Sequence, residues 1–289
     1  MNKNITVIGA TGLLGSAVTR ALVNVGYHVT AMVRDIEKAK KMLPSNIDFV
    51  KGDLQNTESI YQAAKTADGV YINLNATFND SEKGFNAERE GIDNIISALK
   101  KTSVKQIAFL SSFLARDYNG EWWVMKMKKA AIAKIKNSGL LYTIFYAASF
   151  MENLESSMRN GNKINTIGKP VSKLSWWIAS EDFANQAAKA FSLDSAVNKE
   201  YSIQGLEGFT TTDAIQIYVK NHDKEQLKIA NLPMGMGKFL ALFVKPLKFV
   251  IPLIETINSD QEKFEAEQTW KELGKPQIDL KTFSKRKVA

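Results

Sequence analysis

Short apolar runs alternate with segments of helical apolar spacing along the first half of this 289-residue chain. Residues 4–8, 27–33, 47–50, 69–73, 106–110 and 141–146 are rich in β-branched and other apolar side chains and read as buried strands. Between them, residues 13–25, 36–43, 57–65, 81–101 and 121–137 repeat apolar positions every three or four residues and read as helices. Pro44 stops the second helix and the turn Ser138-Gly139 stops the fifth. A parallel crossover needs a dozen or more residues, usually a helix, and that helix covers the sheet. Repeated strand–helix alternation therefore predicts an α/β fold with a doubly wound parallel sheet.

Past residue 147 the alternation breaks down. Residues 161–170 are turn-rich, 181–191 and 211–220 read as helices, 199–203 as a strand, and the remainder as mostly helical. This predicts a sheet core over residues 1–149 and a smaller, mostly helical C-terminal substrate lobe over 150–289, partly packed back on the core. The most apolar stretch, 239–257, is broken by Lys245, Pro246, Lys248 and Pro252. A spanning helix needs roughly 20 mainly apolar residues, so no transmembrane segment is expected. Packing in the lobe or as a lid is the expected role of 239–257, with an oligomer contact or a membrane surface as the alternatives. The chain runs from Met1 straight into a strand without the pattern of a secretory signal, and the cytoplasm is the expected compartment.

Composition narrows the chemistry. Apolar residues make up 45% and charged residues 24%, as in ordinary globular proteins. There is no cysteine, which removes disulfides, thiolate metal sites and cysteine nucleophiles. His28 and His222 are the only imidazoles and neither sits in a recognisable motif, so no metal site and no Ser-His-Asp hydrolase is expected. The net charge of +8 comes from scattered lysines that read as solvated helix faces. No nucleic-acid module appears, although a basic surface attracts an anionic cofactor.

The sharpest motif is Gly9-Ala10-Thr11-Gly12-Leu13-Leu14-Gly15, between the first strand and the first helix. In that position glycines cradle a dinucleotide. Gly9 permits the tight turn, Gly12 presents no Cβ to the pyrophosphate, and Gly15 allows the helix to pack on the strand. The helix N-terminus beyond them, with Thr11, Leu13 and Leu14 at its start, favours the anion. At the end of the second strand, where an acidic residue would select NAD(H), stands Arg34. A guanidinium pairs with a 2′-phosphate in two-pronged fashion, so NADP(H) is expected to be preferred over NAD(H), while Asp35 is placed to cap the next helix. Gly52-Asp53-Leu54 follows the third strand, and Asp53 either accepts from the adenine amino group or caps a helix. Asn75 and Ser111 lie after the fourth and fifth strands, at the edge where open α/β sheets bind ligands.

With these residues placed, the chain resembles the NmrA-like group of atypical short-chain dehydrogenase/reductases. The resemblance rests on residues 9–15, Val33-Arg34-Asp35, Gly52-Asp53-Leu54, Leu110-Ser111-Ser112, Ser138-Gly139-Leu140-Leu141-Tyr142-Thr143-Ile144 and Phe150-Met151-Glu152-Asn153-Leu154. Later segments, Glu181-Asp182-Phe183-Ala184 and Leu273-Gly274-Lys275-Pro276, extend it almost end to end. It implies an NAD(P)-binding Rossmann fold and membership among quinone reductases, dye reductases, phenylpropanoid reductases and cofactor-binding redox sensors. It also implies that Lys128 contacts the nicotinamide ribose and assists proton transfer. The larger superfamily's tyrosine acid, four residues earlier, is replaced by Val124, and Tyr118 lacks the spacing. Tyr146-Ala147 stands where the group usually has Arg-Pro.

A quinone or conjugated acceptor delocalises incoming negative charge and needs no tyrosine, only orientation against the nicotinamide. Trp122, Phe150 and Trp176 are candidates to line such a slot, and Asn153 either orients a carbonyl or caps a helix. The expected function is NADPH-dependent reduction of a small apolar or aromatic acceptor by direct hydride transfer. An NADP(H) sensor with little turnover is the competing class. A small-molecule acceptor is the expected partner, and the chain is compatible with a homodimer.

Overall fold

A computed structural model describes residues 3–223, 225–259 and 262–286. The first six strands are β1 (Asn4–Ile8), β2 (His28–Val33), β3 (Asp48–Lys51), β4 (Gly69–Asn73), β5 (Gln106–Ser112) and β6 (Leu141–Ala147). Three short strands follow, β7 (Arg159–Asn160), β8 (Lys163–Ile167) and β9 (Ser175–Trp176), and then β10 (Lys199–Ile203). The central sheet has seven strands in the order β10-β6-β5-β4-β1-β2-β3 and is parallel throughout. This is the doubly wound α/β architecture that the pattern predicts. The seventh strand comes from the C-terminal half, so that half completes the sheet as well as forming a lobe.

Helices cover both faces. On one lie α1 (Leu13–Asn24), α2 (Ile36–Lys40) and, later in the chain, α7 (Ser180–Ala190); on the other lie α3 (Thr57–Ala64), α4 (Glu90–Leu99) and α6 (Trp123–Lys136), with the short α5 (Phe113–Arg116) between β5 and α6. Val18, Leu22, Phe183 and Ala187 pack with Val7, Ala31 and Tyr71 beneath the first set. Ile60, Ile92, Ile95 and Ile132 pack with Ile72, Phe109 and Ile144 beneath the second. Each such fully buried aliphatic side chain contributes about 1.5–3 kcal/mol relative to an exposed one.

The helix predicted over 81–101 is shorter than its apolar pattern. Only Glu90–Leu99 is helical, and Asn86 organises the turn that precedes it. Its side chain accepts from the Glu88 N–H at 2.9 Å, and Glu90 Oε2 reaches back to accept from the Asn86 N–H at 2.8 Å. This reciprocal arrangement satisfies backbone groups that a longer helix would have used.

The lobe continues with β11 (Gly208–Phe209), α8 (Thr211–Asn221), β12 (Lys228–Leu232), α9 (Met234–Leu240), α10 (Lys245–Ser259), α11 (Glu267–Leu273) and α12 (Leu280–Ser284). Its core joins Met151, Leu154, Ile164, Trp177, Ile215, Tyr218 and Phe283. Two segments depart from the sequence expectation. Residues in the turn-rich 161–170 region form β8, and Lys228–Leu232 is a strand rather than helix. The two pair in parallel, a long-range partnership that local pattern does not carry, and β8 also pairs antiparallel with β7.

Helix α11 is tied to the sheet edge by charge. Glu272 on α11 accepts from Lys199 Nζ at 2.8 Å and from the Tyr201 hydroxyl at 2.6 Å, both on β10. The bonds from Lys199 and then Tyr201 hold the Glu272 carboxyl down to about 2. A depressed folded-state value means that this stabilisation is full above the ordinary value of 4.5 and is lost as pH falls towards 2. Glu272→Gln is therefore expected to flatten the decline of stability over that window, read as urea midpoints along a pH series. An unchanged slope would refute the assignment.

Candidate cofactor and acceptor site

The reversal of strand order lies between β1, whose neighbours are β2 and β4, and β4, which continues to β5. In open α/β sheets that crevice, at the carboxyl ends of the strands, is where ligands bind. The glycine turn sits there. Gly9 adopts φ +89°, and a Cβ on it would overlap the Asn73 carbonyl oxygen at the end of β4. A Cβ on Gly15 would overlap the carbonyl of Gly9, so α1 approaches the turn too closely for any side chain. Gly12 differs: its φ is −73°, and a Cβ would lie 3.4 Å from the nearest atom, an ordinary contact. Packing therefore requires glycine at 9 and 15 but not at 12. Gly12 and Leu13 are exposed, Thr11 and Leu14 are half-buried, and no side chain caps α1. The first turn of this twelve-residue helix thus offers its N–H groups outward beside the one glycine of the turn that packing does not need.

Arg34 extends from the end of β2 into solvent with no ion-pair partner among the described residues. Asp35 does not neutralise it. Its carboxylate caps α2 by accepting from the Lys38 N–H at 3.0 Å. After β3, Asp53 is half-buried and accepts from the Gln55 N–H at 2.8 Å, forming a tight turn. The cap of α3 is Asn56, not Asp53, so the capping alternative for Asp53 is corrected. Leu54 packs against Gly91 of α4, and its carbonyl accepts from Asn94 Nδ2 at 2.7 Å. Asn75 is exposed just beyond β4.

Ser111, near the end of β5, has its hydroxyl buried and unpartnered among the described residues, whereas Ser112 caps α5. Lys128, in the second turn of α6, is buried and donates to Glu88 Oε1 at 2.7 Å. Glu88 is fully buried, and its second oxygen has no partner among the described residues. Burial pushes the Glu88 carboxyl above its ordinary value, and the Lys128 charge and hydrogen bond oppose that rise. Glu88 escaped the sequence reading. The available signal was its place in the apolar row Phe85, Glu88, Ile92, Ile95 and Leu99 of a helical pattern.

Val124, at the position of the usual tyrosine, is buried in the core. Tyr118 comes near by another route: its hydroxyl accepts from the Trp122 N–H at 2.9 Å, at the start of α6. Tyr118 and Trp122 line an open cavity of about 690 Å³, bordered on its other side by Pro252, Glu255, Thr256 and Ser259 of α10. The Trp122 ring meets Phe249 edge-on at 5.6 Å. The apolar stretch 239–257 is therefore split, its C-terminal part covering this cavity and its N-terminal part standing free.

The other proposed slot residues lie elsewhere. Phe150 is buried against Phe183, ring centroids 5.6 Å apart, and core packing accounts for it. Asn153 sits inside the short turn Met151–Leu154 and caps no helix among the described residues, which removes that alternative. Trp176 packs on Phe264 at 5.8 Å. None of the three lines the cavity beside Trp122. The two histidines are also remote from these groups: His28 faces Asp48 at the start of β2, and His222 is buried against Tyr218 in the lobe.

Comparison with known proteins agrees with this geometry. The chain is 26% identical over 247 residues to the photosystem II assembly factor Ycf39 of Synechocystis sp., covering 83% of this chain and 74% of that protein. It is 25% identical over 265 residues to the NAD(P)H azoreductase of Xenophilus azovorans, covering 86% and 87% respectively. The crystal structure of NADPH-dependent quinone oxidoreductase from Escherichia coli complexed with NADPH superposes with a TM-score of 0.76 at 22% identity, over 97% of this chain and 98% of that one. The model of the NmrA-like family matches residues 1–276, and with the glycine turn at the switch point of a seven-stranded parallel sheet, the chain belongs to that family.

Proposed function

We propose that this protein binds NADP(H) across the glycine turn and reduces a small apolar or aromatic acceptor. The observation that carries the reading is Gly12, a glycine without a packing reason beside the uncapped first turn of α1. A phosphate approaching that turn finds outward N–H groups and no Cβ in its way. Arg34, unpaired at the end of β2, supplies the charge that distinguishes a 2′-phosphate from a free ribose hydroxyl. Asp53 and Leu54 would flank the adenine, with Asn75 and Ser111 nearer the nicotinamide. NADPH, when bound, supplies the hydride. The names of the azoreductase and quinone oxidoreductase relatives favour an electron-poor conjugated acceptor, and the Trp122 cavity offers an aromatic wall for it.

Binding and turnover are separable here. Lys128 is engaged by Glu88, and no tyrosine stands at the superfamily's acid position. Those two facts are the grounds for a second reading, a cofactor-responsive protein with little turnover. The test is titration with NADPH and NADH followed by NADPH oxidation against quinones and azo dyes. Arg34→Ala is expected to weaken NADPH by roughly ten- to a hundred-fold, as loss of a charged hydrogen bond does, while NADH changes little. Equal losses for both would remove the specificity argument. Tight NADPH binding without oxidation on any acceptor would establish the second reading.

A further inference from the structure

Outside the site, the largest unexplained feature is the tip of the α9–α10 hairpin. Leu242 and Phe243 are 74% and 75% exposed, Phe239 63% and Met236 55%, in one short stretch of chain. The tip is ordered. Phe239 and Phe243 meet edge-on at 5.8 Å, and the N–H groups of Leu242, Phe243 and Val244 donate to the carbonyls of Phe239 and Leu240. Backbone donors satisfied within the turn can enter an apolar medium without the cost of a lost partner.

Charge says what that medium borders. Residues 226–254 carry four lysines and no carboxylate. Lys238 pairs with Glu255 across the hairpin, whereas Lys228, Lys245 and Lys248 are exposed with no ion-pair partner among the described residues. An apolar tip followed directly by the unpaired Lys245 and Lys248 matches an anionic lipid surface, with Phe and Leu below the headgroups and ammonium groups among the phosphates. A two-fold pairing of this face with a second copy would set lysine against lysine. No helix among the described residues is long and apolar enough to cross a membrane, so the tip would insert without spanning.

We propose that the α9–α10 tip docks the protein reversibly on an anionic lipid bilayer, with Leu242 and Phe243 inserted and Lys245 and Lys248 at the headgroups. The test is sedimentation of the full chain with phosphatidylcholine vesicles, with and without phosphatidylglycerol. The wild type is expected to sediment with the anionic vesicles alone, less so as salt rises. Leu242→Ser with Phe243→Ser should weaken partition at least about ten-fold, given the apolar area withdrawn. Lys245→Gln with Lys248→Gln should weaken it roughly thirty-fold, since each lysine near an anionic surface is worth about 1 kcal/mol. All four side chains are exposed, so melting temperatures should not move. Absence of anionic-vesicle binding by the wild type, or unchanged partition in either variant, overturns the proposal. A dimer in light scattering that Phe243→Ser dissolves would also overturn it, assigning the face to a second copy.

Discussion

Lys128→Ala is expected to destabilise the protein by about 3–5 kcal/mol near neutral pH, the usual cost of breaking a buried ion pair from one side. The partner left behind is Glu88, which is fully buried and already has one oxygen without a partner. Burial raises the Glu88 carboxyl above its ordinary value of 4.5 even with Lys128 present, so removing the cation raises it further. A raised folded-state value in a carboxylic acid means that the folded protein binds its proton more tightly than the unfolded chain. Stability then falls as pH rises from 4.5 towards the folded-state value and levels off beyond it. The deficit of Lys128→Ala relative to wild type should accordingly open with rising pH and shrink in mild acid. Adding Glu88→Gln to Lys128→Met should recover much of the loss, because no buried charge remains. Urea unfolding at several pH values measures all three proteins. A Lys128→Ala deficit below about 1 kcal/mol, the scale of an exposed pair, would show that Glu88 is not closed off as described.

The second large effect contrasts two glycines three residues apart. Gly15→Ala places a methyl against the Gly9 carbonyl and close to the Ala10 backbone, and backbone cannot swing aside as a side chain can. Overpacking of this kind costs about 1–3 kcal/mol, and here it also displaces α1 from the turn. Gly12→Ala meets nothing closer than 3.4 Å at an ordinary φ, so it should change stability by less than about 1 kcal/mol. The proposed pyrophosphate approaches over that same atom, so NADPH affinity is expected to fall at least about ten-fold in Gly12→Ala. Thermal melts and NADPH titrations on both variants separate the effects. Gly12→Ala with unchanged affinity would place the cofactor elsewhere; Gly15→Ala with an unchanged melting temperature would contradict the close approach of α1.

Much of the fold was legible locally because its elements are short and strongly patterned. Residues 4–8, 69–73 and 199–203 are strands over the predicted bounds; the first two lie inside the sheet, where a strand must be largely apolar on both faces. In the segment 81–101 the apolar spacing continues upstream of the helix, but the turn held by Asn86 and Glu90 takes the backbone groups first. The short strand β12 has its partner, β8, more than sixty residues upstream, a pairing that local pattern does not carry.

The sequence by itself determined the nucleotide-binding frame: strand, glycine turn, helix, and an arginine at the end of the second strand. These are backbone and short-range requirements, and chemistry of that kind is written in spacing. Tertiary structure alone decided which glycines the fold needs, since that depends on the Asn73 and Gly9 carbonyls closing over 9 and 15 and leaving 12 open. It alone supplied Glu88 as the partner of Lys128, forty residues away, and set Trp122 with Tyr118 under α10 while burying Phe150 in the core. Side-chain partnerships across elements follow from how helices pack on the sheet, and that geometry is absent from any local pattern.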